Sequence, residues 1–126
     1  MQDFRNLTVW QRSHELTLAV YRITSCFPKD EMYGLTGQMR RCCASIPTNL
    51  AEGCGRGSDA DFARFVQMAM GSASELEYHF LLARDLALID TNRYEPLAQT
   101  VTEVKRMLTM LIKKLRANRR QLTADS

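Results

Sequence analysis

Few side chains here are suited to covalent chemistry: the 126 residues include two histidines and four cysteines. His14 and His79 fall on separate amphipathic segments. Neither lies three residues after an Asp or Glu, the spacing with which bundle helices hold a di-metal centre. Cys26, Cys42, Cys43 and Cys54 form no CxxC and no paired Cys/His ligand spacing. They read as free thiols in a reducing compartment, filling space as small hydrophobes. Nothing in the spacing pairs a cysteine with a histidine as nucleophile and base. The alternating glycines Gly53, Gly55 and Gly57 match neither the phosphate-binding G-x-x-x-x-G-K-[ST] string nor a strand-led dinucleotide loop. They read as a helix stop and turn. The expectation is a non-enzymatic chain with no catalytic residue, metal or cofactor.

Binding chemistry is better represented. Between Tyr33 and Arg56, steps of three and four residues align Gln38, Arg41, Ser45, Asn49 and Glu52 on one helical stripe, with Ser72 and Glu75 as partners from the next helix. Hydrogen-bonding groups of both signs in a row make either a satisfied network between helices or the lining of a polar pocket. Arg41 is expected to pair with Glu75 or Glu52. The candidates for phosphate contact are Arg40, Arg56 and Arg64 around that helix and its exit, and Lys113, Lys114, Arg116, Arg119 and Arg120 near the C-terminus. Arginine outnumbers lysine 13 to 4, which suits bidentate pairing with phosphate or carboxylate. No aromatic residue interleaves with the terminal basic run, so base stacking is not indicated there.

Four helices must position these groups. In the first, Thr8 and Gln11 have capping-box spacing; Leu16, Val20, Ile23 and Phe27 form its core stripe, and Pro28 ends it. In the second, Leu35, Met39, Cys42, Cys43, Ile46, Leu50 and Cys54 form the apolar stripe, while Arg40, Ala44, Pro47 and Ala51 make a small, smooth third face. Pro47 removes one backbone hydrogen bond inside it and is expected to kink it. The third helix opens at Ser58, and its seam is Phe62, Val66, Ala69, Ala73, Leu76, Phe80, Ala83 and Ala87. Its opposite side, through Arg64, Gln67, Met68, Gly71, Glu75, Tyr78 and Leu82, is apolar enough to be a second packing surface, with Gly71 allowing close approach. The fourth helix repeats the seam through Leu97, Val101, Val104, Leu108, Leu111 and Leu115. Short links and the lack of a strand pattern give one all-α domain over residues 1–126, an antiparallel up-down-up-down four-helix bundle.

A formal charge of +3 is far from the excess of a nucleic-acid coat protein, but seven of the 17 basic residues lie between Lys105 and Arg120. The N-terminus has no secretory pattern and no apolar run reaches about 20 residues, so a cytoplasmic chain without a membrane partner is expected.

FRNLTVWQRSHEL, YGLTGQMRRCCASIPTNLAEGCGR, FARFVQMAMGSASELE and MLTMLIKKL occur in this order, and together they resemble the four-helix-bundle proteins encoded within bacterial 23S ribosomal RNA intervening sequences. SIPTNLAEG is the most specific piece. The resemblance implies a small bacterial cytoplasmic bundle that assembles as a ring-shaped homopentamer with no established catalytic activity. That fold is also similar to the accessory proteins of diversity-generating retroelements, pentameric bundles that bind nucleic acid and a reverse transcriptase; this second likeness is one of fold alone. Five copies of the basic surface would form a collar able to bind RNA or DNA, including the RNA in which such proteins are encoded. The alternative is a scaffold or accessory subunit that recruits a protein partner such as a reverse transcriptase.

Overall fold

A computed structural model describes the backbone of residues 3–125 and the side chains of residues 3–118. A short 3-10 turn, Phe4–Asn6, precedes α1 (Thr8–Thr24), and a second one, Lys29–Glu31, leads into α2 (Leu35–Cys54). Then come α3 (Asp59–Asp85) and α4 (Thr91–Asp125), with no strand among the described residues. Each helix packs on its neighbours in sequence and α1 also packs on α4, which leaves α1 diagonal to α3 and α2 diagonal to α4. With links this short, consecutive helices run antiparallel, and the packing is that of a four-helix bundle.

The apolar stripes account for the core. All seven residues of the α2 stripe are buried, as are Phe62, Val66, Ala69, Ala73, Leu76, Phe80 and Ala83 of α3. On α4 the seam shifts by one position near its end, where Ile112 is buried and Leu111 only partly so. Ala87 departs from the expected seam. It is exposed and left-handed, with φ 59°, because α3 ends at Asp85 and the N–H of Leu88 reaches back to the carbonyl of Ala83 at 2.9 Å. That pattern is a Schellman stop, in which the residue past the helix is left-handed and solvated.

The helix starts also differ in one place. Thr8 is already the first helical residue of α1, so its hydroxyl lies one position too late to cap; Leu7 is the N-cap and contributes no side-chain bond. Gln11 Nε2 instead donates to the carbonyl of Arg5 at 2.8 Å, tying the 3-10 turn to the helix. At α3 the expected cap is present, with Ser58 Oγ accepting from the Asp61 N–H at 3.2 Å.

Pro47 interrupts the hydrogen-bond ladder of α2 without ending the helix, which runs on to Cys54. Phe4 stands edge-on to Trp10 with ring centres 5.0 Å apart, and Trp10 stacks on His14, also at 5.0 Å. Phe4, Leu7 and Trp10 pack half-buried against the core. Beyond Leu115, its last buried residue among those described, α4 continues to Asp125, a further length of about 15 Å at 1.5 Å per residue. No described helix is long and apolar enough to cross a membrane.

Candidate functional site

Antiparallel packing brings the start of α3, the α2–α3 link and the end of α4 to one end of the bundle. Four of the expected phosphate-binding residues meet there. The guanidiniums of Arg56 and Arg64 lie 4.8 and 5.0 Å from the centre of the same Phe65 ring. Phe65 is itself buried, so its ring is a fixed platform that holds two cations by their attraction to its π-face. Arg64 and Arg116 line one cleft of about 200 Å³ with Asp59 and Gln67. Lys114 opens on the adjoining cavity of about 340 Å³, together with Gly53, Gly57, Ser58, Asp59 and Asn118. Asp61 sits 3.8 Å from Arg64 and, with Asp59, offsets part of this charge. Lys113 is exposed on α4 and lines neither cavity. Arg119 and Arg120 lie outside the residues whose side chains are described.

Arg40 does not join that cluster. It lies in the first half of α2, toward the other end, where its Nε donates to Thr24 Oγ1 at 2.9 Å and its guanidinium covers Tyr21 at 4.8 Å. These contacts clamp α2 to α1.

The polar stripe of α2 divides in two. Ser45 Oγ and Ser72 Oγ share a hydrogen bond of 2.8 Å across the α2–α3 interface, and Asn49 Nδ2 donates to the Ser45 carbonyl and hydroxyl at 2.8 and 3.1 Å. Toward solvent, Gln38, Arg41, Cys42, Ser45, Ser72 and Glu75 line a cavity of about 280 Å³. Glu52 is exposed and outside it. The expected pairing of Arg41 with Glu75 or Glu52 is not formed. Ion pairs among the described residues join Arg5–Asp3, Arg12–Glu15, Arg12–Glu103, Arg64–Asp61, Arg84–Asp85 and Lys105–Glu77. Arg41 is exposed instead, its guanidinium resting over Gly37, where solvation competes well with a surface ion pair.

Of the buried titratable groups in this region, Cys42 lines the cavity. All four cysteines are free. Cys42 Sγ donates to the Ser72 carbonyl at 2.9 Å, and its thiol is held well above the ordinary range by burial first and then by the neighbouring Glu75 carboxylate. Burial pushes Cys43 up to about 11, although Thr17 and Arg40 pull the other way. His79 is 5% exposed, and burial holds it below its ordinary value against the opposing pull of Glu75. Its Nδ1 meets no hydrogen-bond partner. Among the described residues, potential metal-ligand atoms of Cys42, Glu75 and His79, one from each, lie within 4.8 Å of one another. The sequence spacing hides this group, because Glu75 and His79 are four apart, not three, and the third member comes from another helix. Phe65 was also off the expected seam; only Arg64 beside it in sequence hints at its role.

A family model described as 23S rRNA-intervening sequence protein matches residues 5–110. No curated protein matches the chain. Among solved structures, the chain is similar to a protein of unknown function from the S23 ribosomal protein family of Bacteroides thetaiotaomicron, at 25% identity and a TM-score of 0.77, covering 83% of this chain and 95% of that one.

Proposed function

The chain belongs to the 23S rRNA-intervening sequence protein family, and from that premise we propose that it is a non-enzymatic, cytoplasmic, oligomeric bundle that binds nucleic acid, RNA or DNA, through its basic end. The observation that carries this reading is the meeting of four cations from three separate stretches of chain at one end of the bundle: Arg64, Lys114 and Arg116 line two adjoining clefts, and Arg56 shares the Phe65 ring with Arg64. A single end offers few cations. Repetition around a ring of five would multiply them, and phosphate affinity grows with the number of charges engaged. The N-terminus of α3 adds its partial positive charge at the same end.

The uncovered face of α3 supports assembly. Met68 and Tyr78 are 48% and 58% exposed, and a side chain added at Gly71 would meet nothing within 4 Å. A glycine that gives close approach to nothing in its own chain suits contact with another chain. The same face also supports the second reading, a scaffold that recruits a partner protein. Reversing the charge at the four cations tests the choice: loss of RNA retention with assembly intact supports nucleic-acid binding, and full retention contradicts it.

A further inference from the structure

We propose that Cys42, Glu75 and His79 form a binding site for a borderline-soft divalent metal ion, Zn²⁺ foremost. Glu75 and His79 are four residues apart on α3 and so share one face, and α2 packs against that face with Cys42. One sulfur, one carboxylate oxygen and one imidazole nitrogen lie within 4.8 Å of one another. A thiolate, an imidazole and a carboxylate make a donor set that suits zinc and disfavours magnesium or calcium, which take oxygen.

A second observation points the same way. His79 is 95% buried by its 5% exposure, and its Nδ1 is enclosed without any donor or acceptor to meet it. Buried polar atoms are nearly always paired, and an imidazole nitrogen left without a partner is a ready metal ligand. Packing alone does not explain a histidine at this position, since an apolar residue would fill the space without the orphaned nitrogen.

Zinc bonds of roughly 2.0–2.3 Å place tetrahedral ligand atoms roughly 3.3–3.7 Å apart, so the three groups need to close by about 1 Å. Glu75 is exposed and has the freedom to swing inward. On binding, the Cys42 thiol gives its proton to solvent, its hydrogen bond to the Ser72 carbonyl opens, and the thiolate coordinates the ion. Cys42 and Glu75 both border the cavity that also holds Gln38, Arg41, Ser45 and Ser72, which leaves the fourth coordination position to water.

The test is a zinc titration of the full chain, stripped with chelator, against a chromophoric competitor, with Co²⁺ as a spectroscopic probe. The expected result is one ion per chain and a thiolate-to-cobalt charge-transfer band. Cys42→Ala should remove the band and weaken zinc binding at least a hundredfold, with helix content unchanged. A double Cys26→Ser, Cys54→Ser chain should bind as the parent does. Should Cys42→Ala fail to fold, Glu75→Gln at an exposed position decides, with an expected loss of at least tenfold. Zinc affinity unchanged in Glu75→Gln, or a band that survives Cys42→Ala, would overturn the proposal, as would a parent chain that takes up no zinc.

Discussion

The hydroxyl of Thr17 on α1 lies 3.1 Å from the carbonyl oxygen of Cys43 on α2, the carbonyl that Pro47 leaves without its helical donor. In an α-helix the carbonyl of residue i accepts from the N–H of residue i+4, and proline has none. Thr17 also sits 2.8 Å from the Ser13 carbonyl, so one proton serves both acceptors. A helix with proline at its centre is tolerated here because the neighbouring helix supplies the missing donor. Thr17→Val is expected to lower stability by about 1–2 kcal/mol, the cost of an unmet buried carbonyl. In a Pro47→Ala background the backbone N–H returns and most of that loss should vanish. Thermal melts of the two single variants and the double variant check this, and equal losses in both backgrounds would contradict it.

Gly53 is required for a different reason. A side-chain carbon there would stand 2.7 Å from Phe62 Cδ1 and 2.9 Å from Phe65 Cβ. Alanine is the better helix former, yet Gly53→Ala should destabilise the chain by about 1–3 kcal/mol, because the α2–α3 contact must open to admit the methyl group. A urea midpoint that rises would show that the two phenylalanines give way more easily than this packing implies.

Gly71 is the opposite case, with open space around it in its own chain. Gly71→Arg should leave the circular dichroism of the helices unchanged and dissociate the proposed assembly, read by light scattering. An unchanged assembly would remove this face from the interface.

Much of the bundle was legible in the sequence because its signals are local. Steps of three and four carry the burial of Met39, Cys43, Ile46 and Leu50, and the Ser58 cap follows from the acidic first turn after it. What depends on a partner from another helix was not legible. Arg40 carries the same charge as Arg56, and only the packing shows that it clamps Tyr21 and Thr24 while Arg56 joins the basic end. The same holds for Arg41, which is exposed with no ion pair, and for His79, whose neighbours lie on both α2 and α3. Ala87 failed for a local reason, since a left-handed alanine gives no sequence sign of a helix stop.

Stability should fall on the alkaline side. Cys43 is raised to about 11 from an ordinary 9.0, and Cys54 is raised by burial and by the Asp3 carboxylate. Between the two values the unfolded chain releases thiol protons that the folded chain keeps, so stability is fully present below about pH 9 and declines as pH rises toward the folded values. Urea midpoints from pH 8 to about pH 10.5 should drop progressively, and a Cys43→Ala, Cys54→Ala chain should show a shallower decline. An identical decline in that variant would assign the effect to other groups.

The central claim is that the basic end of the assembly binds nucleic acid, and its most direct test is light scattering on the purified chain with a structured RNA across a salt series. Engagement of four phosphates by even one chain predicts a weakening of at least about a hundredfold between about 50 and about 200 mM salt, and more as further chains of the assembly engage. A chain with Arg56, Arg64, Lys114 and Arg116 changed to Glu should keep the assembly mass of the parent and lose the RNA at every salt concentration. RNA retained by that variant, or binding by the parent that ignores salt, would contradict the account.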